Sequence, residues 1–449
     1  MNISIFGVIW LIALFVSFIK QIKYTLYLLI FSFVFQSAWV IEIGGVDLNA
    51  SLITSIFFIS RALLLKNGKI KIPSWGKYGL IYAFFTTIVS VIAPNIFSGM
   101  QLQTMTNEGF NFNRVDTVIV SFSFSNLTLG LSILLYLIDA IMISNIDFHI
   151  EWRHFEKIFK NIFIFVSIVG VVHVLFTFLG IPVTILRELF HNEYKIIGNT
   201  YFDMLLLPQY RFARLMSTFY EPSYCGAYLV MALAYFYFSD TKNRRIYILI
   251  GTIELLLCLA STGFLTLIVF VFIFMIFSAL RGKISFKKIM AVGCPVIIVG
   301  IIILLNPTMR NLLYNFTLGK VNSDSYSLRK IVNKYAMDAF FKTYGMGVGG
   351  NAIDTYSLFY SLLSQVGIFG FILYVLFIKS VLGIKLKIRD AKKKWQMISI
   401  VLIPLIASII SCQALNFCVF WMGICIFAIH NSIAKDNFIK EKNMWESKY

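Results

Sequence analysis

The stretch RFARLMSTFYEPSYCG, Arg211 to Gly226, sets two arginines, a glutamate and a proline immediately before an apolar run. A second stretch, SDSYSLRKIVNKYAMDAFFKTYGMGVGGN, sets Arg329 and Lys330 ahead of a glycine-rich turn. Planar guanidiniums suit a diphosphate, because each can make paired charge-assisted hydrogen bonds. Arg211 and Arg214 are three residues apart, so a helix would put them on one face. Glu221 can orient or deprotonate a hydroxyl. Gly345 and Gly347, in GMGVGG, offer backbone amides at close approach, although the turn is neither a P-loop nor preceded by a strand. No metal-ligand set accompanies the cations, so arginine rather than magnesium would stabilise a diphosphate leaving group.

Each stretch also has a plain reading. The arginines can snorkel to phosphate headgroups while Glu221 caps the next helix and Pro222 fills its first turn. In the second stretch Leu328, Ile331, Val332, Tyr335, Ala336, Ala339 and Phe340 follow the i, i+3, i+4 pattern. Arg329, Lys330, Asn333 and Lys334 take the polar side, Ser323, Asp324 or Ser325 can cap the start, and Gly345 the end. Such a helix could simply rest on a lipid surface.

The elements that must position these residues are membrane helices. The chain has 449 residues, is 59% hydrophobic and only 13% charged, more apolar than a soluble core requires. Apolar runs predict an all-α polytopic membrane protein with about 13 spans (12–14) in a single integral membrane domain, 1–449. They fall near 3–19, 24–41, 48–65, 76–93, 117–143, 161–179, 223–239, 246–260, 264–280, 289–305, 357–378, 397–411 and 417–432. The first run lacks a basic leader and a cleavage site and reads as a retained helix.

The net charge of +18 gives orientation rather than nucleic-acid binding. Of 39 lysines and arginines, 27 fall in the connections on one side, with 11 on the other and Arg61 in a span. The basic side reads as cytoplasmic, with the amino terminus outside. Most connections are short, but 180–222 and 306–356 are long, and both are outer loops, the second carrying the amphipathic helix. The six cysteines lie in or beside spans without CxxC spacing, and the five histidines are scattered, so neither a disulfide framework nor a zinc site is indicated. Within the spans, Glu254 stands central as a functional or packing carboxylate, Asp139 is expected near the inner interface, Arg61 is expected to snorkel, and His173 reads as a core residue.

STFYEPSYCGAYL resembles the EPS-containing signature of Wzy-type bacterial polysaccharide polymerases. YGMGVGGNAIDTYSLFYSLLSQVGIFG is similar to their later block, and LLLCLASTGFLTLIVF to their intramembrane hairpin. The likeness covers roughly 200–375, and O-antigen ligases share the architecture. Some members carry an arginine and a glycine separated by fifteen residues in each large loop. Arg329 and Gly345 keep that spacing, while Arg211 and Gly226 are one residue short. Many members have His-Asn before the later span, where this chain has Tyr356-Ser357.

The resemblance implies a multi-pass protein of the bacterial inner membrane with periplasmic active loops, acting in lipopolysaccharide or exopolysaccharide assembly. Its substrates would be undecaprenyl-pyrophosphate-linked oligosaccharides, and its reaction glycosyl transfer with a diphosphate-lipid leaving group. Glu221 would serve the acceptor hydroxyl. Arg211, Arg214, Arg329, Lys330, Gly345 and Gly347 would bind substrate. No cofactor is implied. Membrane lipids and a chain-length regulator protein are the implied partners. Competing readings are an O-antigen ligase, a lipid-linked oligosaccharide flippase or other transporter, and a non-enzymatic scaffold. The large charged outer loops and lack of inverted repeats weigh against a transporter.

Overall fold

A computed structural model describes residues 2–44, 46–66, 69–105, 115–148, 150–192, 205–207, 212–280, 324–384, 390–411 and 415–446. The described chain is mostly helical. Its helices are α1 (Ile5–Ile19), α2 (Ile22–Ser32), α3 (Ala50–Leu65), α4 (Ser74–Ile96), α5 (Phe124–Ile143), α6 (Trp152–Leu179) and α7 (Thr184–Phe190). They continue with α8 (Pro222–Phe238), α9 (Arg244–Cys258), α10 (Ser261–Leu280), α11 (Asp324–Lys342), α12 (Leu358–Leu382), α13 (Ala391–Ile410) and α14 (Cys418–Glu446). Three small antiparallel sheets lie in the connections: β1 (Asn2–Ile3), β2 (Trp39–Ile43) and β3 (Val46–Asn49); β4 (Gln101–Met105) with β5 (Val115–Ile119); and β6 (Leu205–Leu207) with β7 (Phe212–Ala213).

α8 is the centre of the bundle. Every residue of it except Tyr237 is buried, as expected of a helix apolar on all sides. It packs against α9, α10 and α13. Pro222 occupies its first turn, where a missing N–H costs nothing. The α9–α10 hairpin breaks at Leu259-Ala260 rather than running through, and Gly226 of α8 meets Gly263 of α10 there: a Cβ on Gly226 would stand 3.3 Å from the Gly263 Cα. The small residues of LASTG thus allow the second half of the hairpin to start against the first turn of α8.

The sheet-bearing connections gather at one end of the bundle. Ser37 Oγ donates to the Phe190 carbonyl (2.9 Å), Thr218 Oγ1 to the Val34 carbonyl (2.5 Å), and Ser357 Oγ to the Ile409 carbonyl (2.7 Å). At the opposite, lysine-rich end, Lys66 Nζ donates to the Asn145 carbonyl (2.8 Å), and Asn145 pairs through its side chain with the Lys71 backbone.

The span count differs from the expected thirteen. Among the described residues six helices are long and apolar enough to cross a membrane: α4, α5, α6, α10, α12 and α13. α1, α2, α3 and the first part of α14 are apolar but shorter. Hydropathy marks where apolar chain runs, not how much of it stays helical. The expected span 24–41 is the clearest case: α2 stops at Ser32, and Trp39–Ile43 is a strand. Likewise 117–143 joins the end of β5 to α5. The expected span 289–305 lies outside the described residues.

Two intramembrane expectations are refined. Asp139, one turn from the end of α5, is fully buried within the protein. It follows Tyr136 by three positions on α5, and the Tyr136 hydroxyl lies 2.6 Å from Ser51 Oγ of α3, so this face of α5 turns into the bundle. Arg61 does not merely snorkel: its Nη1 donates to the Ser17 carbonyl (2.6 Å) and to Thr25 Oγ1 (3.2 Å). Ser17 is in the last turn of α1, where carbonyls lack helical partners and favour a cation. Glu254 is buried in α9 and accepts from Ser167 Oγ of α6 at 2.9 Å.

Candidate functional site

The first stretch threads into the bundle. β7 ends at Ala213, and Leu215 to Phe219 are all buried. An irregular buried segment must place its polar groups, and this one does. The Leu215 N–H donates to the Leu257 carbonyl (3.1 Å), and Ser217 Oγ to the Val166 carbonyl (2.6 Å). His191 Nε2 donates to the Ser217 carbonyl (2.9 Å), and its Nδ1 lies 3.2 Å from Ser37 Oγ. A ring nitrogen facing a carbonyl must carry the proton, which fixes the Nε2–H tautomer of a neutral ring.

Arg214 is partly buried. Its Nε donates to the Cys258 carbonyl (3.3 Å) and its Nη2 to the Leu259 carbonyl (3.1 Å). These are end carbonyls of α9, so the guanidinium caps the negative end of a helix. That differs from a side chain reaching outward to headgroups. The same junction takes the Cys258 thiol, which donates to the Pro222 carbonyl (2.8 Å).

Glu221 is the N-cap of α8, and its carbonyl receives the amides of Tyr224 (3.1 Å) and Cys225 (3.2 Å). Its carboxylate Oε2 accepts from Ser223 Oγ at 2.8 Å, and the residue is half-buried. Aromatic rings flank it: Tyr220 lies 6.3 Å from Tyr224, and Tyr224 lies 5.2 Å from Phe417, just before α14.

The second stretch supplies the opposing wall. α11 is a helix, as the periodicity predicts. Val332, Ala336 and Ala339 are buried, and the far end packs with Leu102, Val120, Val348 and Ile353 rather than lying free on a surface. Arg329 Nη1 donates to Ser411 Oγ (2.7 Å) at the end of α13. Its guanidinium lies 5.4 Å from the centroid of the Tyr356 ring. One turn further on, Asn333 Oδ1 accepts the Tyr356 amide at 3.1 Å.

Tyr356 links the two stretches. Burial raises its phenol pKa above the ordinary 10, and the Glu221 carboxylate raises it further while Arg329 opposes. Asp354 raises it as well, so the phenol lies within electrostatic reach of carboxylates from both loops and of the Arg329 guanidinium. Ser411 accepts from Arg329, and Phe417 packs against Tyr224.

Gly345 and Gly347 have a structural task. A π-turn, Leu362–Val366, widens α12 near its start. The Val348 amide donates to the Ser364 carbonyl (2.8 Å) and the Gly349 amide to the Gln365 carbonyl (3.0 Å). The Gly347 amide donates to Thr343 Oγ1 (3.2 Å), and the Gly345 amide to the Phe340 carbonyl (2.9 Å). Gly347 has φ +83, and a Cβ there would stand 2.7 Å from the Gly367 nitrogen. The glycines let two backbones touch, and their amides are turned into the protein. Lys330 is exposed on α11. Arg211 lies outside the described residues.

Of the expected site residues, Glu221 and Arg329 both lie within electrostatic reach of Tyr356, while Arg214 caps the end of α9. Sequence reasoning missed Tyr356 as a participant, though its place before α12 had stood out. Ser411 carried no signal, since a serine ending an apolar helix is common. Among the described residues no group of three or more His, Cys, Asp or Glu could hold a metal ion.

The chain matches no protein-family model and no curated protein. The chemistry of the site therefore rests on its own residues: a carboxylate able to take a proton, and a guanidinium and a phenol able to hold an anion.

Proposed function

We propose that this protein is a membrane glycosyltransferase of the polysaccharide-polymerase kind, joining lipid-linked oligosaccharide repeat units. The acceptor hydroxyl attacks the anomeric carbon of the donor, and Glu221 takes its proton. The bond from that carbon to the diphosphate oxygen breaks, and the lipid diphosphate leaves as an anion. Arg329 and the Tyr356 hydroxyl hold that developing charge, with Arg211 as a further diphosphate ligand. Arg214 positions rather than binds, since it sets the junction on which Glu221 stands.

The single observation carrying this reading is the Arg329 guanidinium held over the Tyr356 ring, 5.4 Å from its centroid, within electrostatic reach of the Glu221 carboxylate. The location supports it as well. The site lies at the end opposite the lysine-rich connections, the end expected to face the periplasm across an inner membrane, where a lipid diphosphate would present its headgroup. The full thirteen-span topology belongs to the same proposal.

The test is purified protein supplied with lipid-linked repeat units and examined by gel for a ladder of products. A ladder supports the polymerase. Transfer only when a different lipid acceptor is added identifies a ligase, which uses the same donor. Absence of donor consumption in either assay overturns the reading.

A further inference from the structure

At the other end of the bundle, α1, α2 and α6 line an open groove of about 450 Å³. Each helix lines it with a face two turns long: Ala13 to Lys20, Tyr24 to Phe31, and Ile158 to Phe165. Within each face the lining positions fall at intervals of zero, three, four and seven, the spacing of one helix stripe. Two turns measure about 10 Å. α2, the shortest of the three, has only 11 residues.

The groove has a polarity along its length. Its far end is closed by aromatic rings, with Phe31 and Phe165 5.0 Å apart. Its mouth lies at the α1–α2 connection, where Lys20 belongs to the lining and Lys23 is its neighbour. The Lys20 and Lys23 ammonium groups stand 5.7 Å and 5.5 Å from the Tyr24 ring centroid. Arg61 adds a third cation behind the wall, bonded to the carbonyl of Ser17, itself a lining residue.

No carboxylate offsets these cations within the groove, since none of its lining residues is acidic. Glu156, two positions before the lining residue Ile158 on α6, is buried elsewhere: it accepts from Gln396 Nε2 (3.2 Å) and Thr241 Oγ1 (3.4 Å). An apolar trough with a cationic, aromatic mouth matches a molecule with an apolar chain and an anionic head.

We propose that this groove binds an anionic diacyl phospholipid, one acyl chain lying along α2 and the phosphate headgroup held by Lys20 and Lys23. Basic pockets between membrane helices take headgroups in this way, and lysines keep their stems in apolar surroundings while the charge reaches the phosphate. The lipid would be a resident of the fold and independent of the reaction at the opposite end.

The experiment is native mass spectrometry of the full chain in detergent, titrated with phosphatidylglycerol or with phosphatidylcholine of the same acyl chains. The wild type should retain phosphatidylglycerol at least about tenfold better, with each lysine worth about fivefold. Lys20→Gln with Lys23→Gln should abolish that preference while leaving the melting temperature unchanged, because Lys20 is exposed and Lys23 lies in the first turn of α2, where glutamine keeps part of the aliphatic stem and the helical propensity. Val16→Trp, which fills the trough, should reduce retention of both lipids. Equal retention of the two lipids by the wild type would overturn the proposal, as would undiminished phosphatidylglycerol binding in the double lysine variant or in Val16→Trp. Displacement of phosphatidylglycerol by equimolar undecaprenyl phosphate would overturn the diacyl assignment.

Discussion

The guanidinium of Arg329 lies over the ring of Tyr356, 5.4 Å from its centroid, while its Nη1 donates to Ser411. The arrangement fixes the plane of the cation and leaves it beside a phenol that is protonated at neutral pH, as an ordinary phenol is, and that burial makes still harder to ionise. Lysine can supply the charge but not the stacked, forked geometry. Arg329→Lys should therefore lower turnover by about one to two decades, from the loss of roughly 1.5–3 kcal/mol of charge-assisted contact. Polymer formation by the purified variant, normalised to folded protein, is the measurement; a wild-type rate would remove Arg329 from the site.

Tyr356→Phe should separate stacking from hydrogen bonding. Phenylalanine keeps a face for Arg329 but has no hydroxyl to donate. The variant should retain its thermal stability and lose activity by roughly tenfold, equivalent to about 1.4 kcal/mol in the transition state. Tyr356→Ala should lose both. Full activity in Tyr356→Phe would reduce the phenol to a packing surface.

Arg214 should behave as a structural cation. Arg214→Ala leaves two end carbonyls of α9 without their donor and should destabilise the protein by roughly 1–2 kcal/mol. Thermal unfolding in detergent would read this as a lowered melting temperature, with donor binding by the remaining folded protein close to normal. Donor affinity lost at unchanged stability would place Arg214 on the substrate instead.

His191 gives the fold an acid-sensitive clasp. Burial lowers its pKa to about 3, the bond to the Ser217 carbonyl opposes that shift, and His173 adds to it. In the unfolded chain the ring titrates near 6.5. Between about pH 6.5 and 3 the unfolded state therefore binds a proton that the folded state does not. The stability is fully present above that window and falls as pH drops through it. Melting temperature against pH should show the slope, and His191→Gln, which keeps a donor but cannot titrate, should flatten it. An unchanged slope would assign the acid sensitivity to another group.

Much of this was legible in the sequence, because apolar runs and helix-period stripes report burial directly. The break at LASTG, the helix over Asp324–Lys342 and the proline-started α8 all follow from local residue chemistry. What was not legible depends on contacts between distant segments. α2 stops at Ser32 because the following residues pair as a strand with β1 and β3. Arg214 reads as an outward cation until α9 presents its end carbonyls. The glycines of GMGVGG read as a phosphate cradle until the end of α11 and the π-turn of α12 supply the acceptors. Ser411 gains meaning only because α13 ends beside Arg329.

The paired test of the site is Glu221→Gln set against Arg329→Lys. Glutamine keeps the size of Glu221 and can still pair with Ser223 through its carbonyl, so the N-cap of α8 should survive. It cannot take a proton from an acceptor hydroxyl. Glu221→Gln should therefore bind the lipid-linked donor with nearly normal affinity and lose turnover by about two to four decades, the usual range for a positioned proton acceptor. Arg329→Lys should show the complementary pattern, with weakened donor binding alongside reduced turnover. Donor binding measured by filter retention and turnover measured by ladder formation separate the two. If Glu221→Gln turns over normally, the carboxylate serves only its bond to Ser223, and the proton acceptor must be sought among the other groups around Tyr356.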